Sequence, residues 1–167
     1  MKLNNKGFTL VELVVSFSFV VVVLISMFAI VINYQNEVDK ESAQSNILVF
    51  RNSMLEIIYQ DIVKDNTDSI TSCGDKCALI NTVSKGSYKL ELITENNTEY
   101  LVYRNIKYMV PDSDNNLVSI DKFIFNSDLI NKIYKVTIPI IHAELDDHEN
   151  TDNQIEIIVS GKKLNLS

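Results

Sequence analysis

A run of 25 residues, Phe8–Ile32 (FTLVELVVSFSFVVVVLISMFAIVI), carries a single ionisable side chain, Glu12, and constrains this chain more than any other feature. As a helix it reaches about 37 Å, enough to cross a hydrocarbon core of about 30 Å with some tilt. A cleaved secretory signal needs an apolar stretch of only about 7–15 residues followed by small residues. Here the run is longer, and Asn33-Tyr34-Gln35-Asn36-Glu37 offers no small-x-small pattern. The segment is therefore expected to remain in the membrane. Lys2 and Lys6 precede it while Glu37, Asp39 and Glu41 follow, which predicts a cytoplasmic N-terminus and an extracytoplasmic bulk.

Glu12 is the exception inside that run. A carboxylate in a membrane helix costs about 2.5–3.5 kcal/mol at the bilayer centre and less near the interface, so it ordinarily has a partner or a task. Taken alone, a side chain snorkelling to the headgroups would account for it.

The residues before it add a second observation. Lys6-Gly7-Phe8-Thr9-Leu10-Val11-Glu12 and the apolar run that follows resemble the class III signal of type IV pilins and pseudopilins. The match covers about the first 30 residues. The resemblance implies that a prepilin peptidase cuts between Gly7 and Phe8 on the cytoplasmic side and that the new amino group of Phe8 is N-methylated. It also implies assembly with other pilin or pseudopilin subunits on an inner-membrane platform, ending as a cell-surface or periplasmic filament.

The residues suit this chemistry in their own right. Gly7 has no side chain to obstruct an extended backbone in a protease cleft. Cleavage would leave an ammonium on Phe8, and Glu12 of one subunit could pair with that of a neighbour. In a low dielectric such a pair offsets its burial penalty and fixes register, because a misplaced carboxylate stays unpaired. The chain departs from many major pilins in lacking a proline in the membrane helix. Val20–Val23 provide a β-branched, softer stretch instead.

Beyond the membrane, Ile47, Phe50, Met54, Ile58 and Ile62 recur at intervals of three and four, an amphipathic stripe. Arg51, Glu56, Gln60 and Lys64 lie off it, and residues 35–46 are polar almost all round. A helix from Thr9 to about Lys64 would be about 84 Å long, with Asp65-Asn66-Thr67-Asp68 as its stop.

Residues 69–87 read as a loop holding Cys73-Gly74-Asp75-Lys76-Cys77. A zinc site would need a second ligand pair, and the spacing is not that of a redox Cys-x-x-Cys. A small disulfide-closed loop suits an extracytoplasmic domain, with free thiols as the alternative. By chain entropy so short a loop contributes only about 2 kcal/mol.

From Tyr88 onward the pattern alternates. Tyr88–Thr94 and Glu99–Arg104 predict a hairpin around a four-residue loop, Glu95–Thr98. Further strands are expected at Ile106–Val110, Val118–Phe125, Ile133–Ile141 and Gln154–Ser160, with Pro139 marking an edge or a bulge. The expected fold is α+β and pilin-like, a long N-terminal helix packed on an antiparallel sheet. Its divisions are a leader (1–7), a membrane or filament-core helix (8–32), an amphipathic helix (33–65) and a β-rich domain (66–167). Leu101-Val102-Tyr103-Arg104, Ile120–Phe125 and the closing strands also resemble the J-type minor pseudopilins and their pilus and competence counterparts.

Other chemistry is poorly represented. There is no phosphate-binding loop and no nucleophile elbow, so neither catalysis nor a cofactor is expected. His142 and His148 flank Glu144, Asp146 and Asp147, which reads as a solvated acidic loop with a metal site as the alternative. Asp112, Asp114 and Asn116 imitate the start of an EF-hand, but Leu117 and Phe123 stand where Gly and Glu are required. A looser calcium site stays open there. Of 15 basic and 22 acidic side chains, all but Lys2, Lys6 and Glu12 follow position 32. That leaves 13 against 21, a net −8, which disfavours direct nucleic-acid binding. The resemblance implies a minor pilin or pseudopilin that assembles into, starts or caps a filament of a type IV pilus, type II secretion or competence system. A tip adhesin or DNA-uptake receptor is the alternative, the latter requiring a basic patch from Lys85, Lys89, Arg104 and Lys107.

Overall fold

The computed structural model describes residues 9–145 and 153–160. Gly7, Phe8, Asp146, Asp147 and His148 lie outside them. One helix, α1 (Leu10–Asp65), is followed by nine strands. The chain divides into two compact units, Met1–Glu41 and Ser42–Ser167.

In the first unit, α1 exposes every residue from Leu10 to Glu41. It is the one helix among the described residues long and apolar enough to cross a membrane. Its serines are satisfied internally: Ser16, Ser18 and Ser26 donate to the carbonyls of Glu12, Val14 and Val22, at 2.7, 2.8 and 2.9 Å. No hydroxyl of these three is left to be buried unbonded in lipid.

In the second unit, the stripe read from spacing is the buried face. Ile47, Met54 and Ile58 are fully buried, and Phe50 and Ile62 pack partly against the same core. Ala43 is also buried, so the polar stretch 35–46 is not exposed all round. α1 ends at Asp65, and Asn66 takes the left-handed conformation (φ 49°) that commonly closes a helix.

Five strands form a meander in sequence order: β1 (Thr67–Gly74), β2 (Cys77–Thr82), β3 (Gly86–Glu95), β4 (Thr98–Tyr103) and β5 (Ile106–Met109). Residues 69–87 are therefore mostly a hairpin and the start of a third strand, rather than a loop. Polar residues dominate β1, TDSITSCG, and only Ile70 and Thr67 are buried, which hides the strand from an apolar-alternation reading. The β3–β4 connection is a two-residue turn, Asn96-Asn97, with φ of 50° and 65°, so the expected four-residue loop is shorter by two. Glu95 and Thr98 pair with each other, and the two asparagines supply the positive φ that such a turn requires. Arg104 and Asn105 repeat the pattern between β4 and β5 (φ 52° and 65°), so Arg104 is a turn residue and not a strand end. At Gly86, φ of +86° opens β3, where a side chain would be strained.

The second sheet is built on β8 (Ile133–His142), which pairs antiparallel with β6 (Val118–Ile120), β7 (Ile124–Asp128) and β9 (Gln154–Ser160). The expected strand 118–125 is thus two strands, broken at Asp121–Phe123. Pro139 explains the break. It lies in a strand paired on both edges, and its carbonyl accepts the Asp121 N–H at 3.2 Å where β6 gives way to β7. A proline there removes no ladder bond that a regular neighbour would need.

Alternate residues of both sheets join the one buried core that also holds Ile47, Met54 and Ile58 of α1. Ala78, Ile80, Leu90, Leu101 and Tyr103 come from the first, and Val136, Ile138, Ile140, Ile155, Ile157 and Val159 from the second. Each Val, Leu or Ile among them contributes about 1.5–3 kcal/mol by leaving water. The fold is α+β, as expected.

Candidate functional site

The start of α1 is organised by Thr9 and Glu12. The Thr9 hydroxyl accepts the Glu12 N–H (3.3 Å), while a Glu12 carboxylate oxygen accepts both the Thr9 N–H and its hydroxyl (each 3.0 Å). This reciprocal arrangement is a capping box, satisfying two donors that a helix start leaves unpaired. The Thr-x-x-Glu spacing carries this signal in the sequence. Glu12 therefore has a local structural role besides any pairing with Phe8, whose position is outside the described residues. The carboxylate is held at the helix start, and both residues remain exposed.

Cys73 and Cys77 form a disulfide, Cα–Cα 5.0 Å, across the β1–β2 turn. The enclosed residues face the second sheet. The Asp75 carbonyl accepts the Phe123 N–H at 2.8 Å, and the Lys76 ammonium donates to the Ile120 carbonyl at 2.6 Å.

A third constellation joins the end of α1 to the first sheet. Asp65, nearly fully buried, accepts from Lys85 (2.8 Å) and from the Tyr88 hydroxyl (2.6 Å). Lys85 and Tyr88 together hold the Asp65 carboxyl below its usual range, and Asp65 in turn raises both of them. Arg104 pairs with Asp61 at 2.7 Å and lies 4.5 Å over the Tyr88 ring, whose edge meets Tyr103 at 6.3 Å. Burial pushes the Tyr103 phenol up. Sequence reasoning missed this network because its contacting partners are 15 to 43 positions apart and no local spacing announces them.

The four cations that a DNA-binding patch would need are each paired with a carboxylate: Lys85 with Asp65, Lys89 with Glu91, Arg104 with Asp61 and Lys107 with Glu95. No group of three metal-ligating side chains converges among the described residues. His142 is buried, its Nδ1 accepting the Glu144 N–H at 3.1 Å. Asp112 and Asn116 shape a turn with positive φ (53° and 57°), and the Asp112 carbonyl accepts the Leu117 N–H.

A groove of about 550 Å³ runs between α1 and β9, lined by Arg51, Leu55, Tyr59, Gln154, Glu156 and Ile158. The Tyr59 hydroxyl accepts the Ile158 N–H (3.2 Å) and donates to the Glu156 carbonyl (3.4 Å), covering the outer edge of β9. This is edge protection, which discourages a further strand from pairing there.

No protein family, curated protein or solved structure matches this chain.

Proposed function

We propose that this chain is a minor pilin or pseudopilin, a structural subunit that starts, joins or caps a type IV pilus-like filament. The observation that carries the reading is the junction at the N-terminus. A basic leader and Gly7-Phe8-Thr9-Leu10-Val11-Glu12 run directly into a helix whose apolar surface from Leu10 to Ile32 is exposed. Such a surface is stable only in lipid or against neighbouring helices. In this reading a prepilin peptidase cuts after Gly7, the helix passes from the bilayer into a filament core, and the Glu12 carboxylate meets the Phe8 ammonium of an adjoining subunit. The capping box supports the pairing, since it aims the carboxylate at the helix start before any partner arrives.

The filament platform and its motor supply the work, and the domain from Ser42 onward contacts sister subunits. The reading also accounts for the absence of recognisable reactive motifs in the sequence. The paired state of Lys85, Lys89, Arg104 and Lys107 gives the DNA-receptor alternative no support.

The test is incorporation. In sheared filaments the protein should be found at few copies per major subunit. Glu12→Ala should reduce those copies about tenfold or more, the effect of losing about 1.4 kcal/mol of coupling. Undiminished incorporation of Glu12→Ala would rule out the pairing, and absence of the wild-type chain from filaments would rule out the function.

A further inference from the structure

We propose that the Cys73–Cys77 disulfide is a redox-controlled latch that fastens the two sheets of the domain to each other. Four contacts converge on the short break between β6 and β7. The Ile120 N–H donates to the Glu99 carboxylate (2.8 Å), and the Ile120 carbonyl accepts from Lys76 (2.6 Å). The Phe123 N–H donates to the Asp75 carbonyl (2.8 Å), and Lys122 pairs with the Asp75 carboxylate (3.0 Å). Three of the four reach Asp75 or Lys76, the residues enclosed by the disulfide.

Among the described residues, the Phe123–Asp75 bond is the one backbone hydrogen bond running from the meander to the second sheet, apart from those of the connecting segment between them. Phe123 and Ile120 are themselves buried in the core. The Lys122–Asp75 pair is solvent-exposed on both sides and adds little. Docking therefore rests on the Glu99 carboxylate, the Asp75 carbonyl and the Lys76 ammonium, and the last two belong to the two-residue turn between β1 and β2 that the disulfide encloses.

With the ring closed, that turn has few conformations to lose when it docks on residues 120–123. With both thiols free, the turn gains freedom and docking costs more. Closure is a two-electron oxidation. Cys73 and Cys77 each give up a proton and one electron, and a disulfide-bearing oxidant of the thiol–disulfide exchange class is reduced to its dithiol. The latch stands on geometry alone. Only its timing, open in a reducing cytoplasm and closed after export, rests on the topology proposed above.

The test is amide hydrogen exchange on the full chain in detergent micelles, oxidised and after phosphine reduction, with alkylation to verify the thiol state. Reduction should speed exchange at Ile120 and Phe123 by about tenfold or more, while helix amides near Met54 and Ile58 change by less than about twofold. The Cys73→Ser/Cys77→Ser variant should match the reduced protein. If that variant fails to fold, the reduction arm decides. Unchanged exchange at residues 119–124 in verified reduced protein would overturn the proposal. So would an equal rise in the helix, which would mean that the bond holds the whole domain, and so would two free thiols in the untreated cell-derived protein. None of these outcomes depends on whether the chain enters a filament.

Discussion

Asp65 shows how a single side chain closes the end of the helix. Its carboxylate is buried at the last residue of α1, beside Lys85 and Tyr88, and Asn66 turns the chain away immediately after it. Because Lys85 and Tyr88 lower the folded pKa, the contribution is fully present above the unfolded carboxyl value of about 3.9. It fades as pH falls through the lower, folded value. The melting temperature of the wild-type chain should therefore decline on acidification below about pH 4. Asp65→Asn should melt lower at neutral pH and respond less steeply to acid. Parallel pH profiles for the two proteins would remove Asp65 from the account. Thr9 and Glu12 make the complementary point at the other end of α1, where two side chains satisfy the first free donors of the helix. Their Thr-x-x-Glu spacing is a local signal, although the reading of Glu12 as a pairing carboxylate passed over it, whereas nothing local to Asp65 reveals Lys85 or Tyr88.

At the scale of elements, α1 carries the clearest periodicity and gives the most direct energetic test. Ile58 is fully buried and Val63, five positions on, is 77% exposed. Ile58→Ala should cost about 2–5 kcal/mol of stability by chemical denaturation, and Val63→Ala less than about 0.5 kcal/mol. Similar costs at both positions would mean that the helix face is misassigned. The stripe was readable because burial at intervals of three and four imposes apolar residues there. The strands were readable where one face is buried, as in β8 and β9, whose inward residues are Val136, Ile138, Ile140, Ile155, Ile157 and Val159. β1 was not, because its sequence is mostly Ser, Thr, Asp and Gly, and hydrogen bonding to β2 rather than apolar alternation makes it a strand. The turns were misjudged for a related reason. Asn96-Asn97 and Arg104-Asn105 adopt positive φ in pairs, which sequence patterning had assigned partly to strand ends.

For the molecule as a whole, hydrophobic surface and charge are separated along the chain. The apolar side chains from Leu10 to Ile32 are exposed, while the residues after position 32 carry a net −8. That division supports a subunit held by its N-terminal helix, with an acidic domain left to meet other proteins. It gives no support to a phosphate-binding surface. The central claim concerns the N-terminus, and mass spectrometry of the protein purified from its own cells tests it most directly. The account predicts a mature chain that begins at Phe8, with the amino group one methyl heavier. A chain that still begins at Met1, or one cut beyond Ile32, would contradict it.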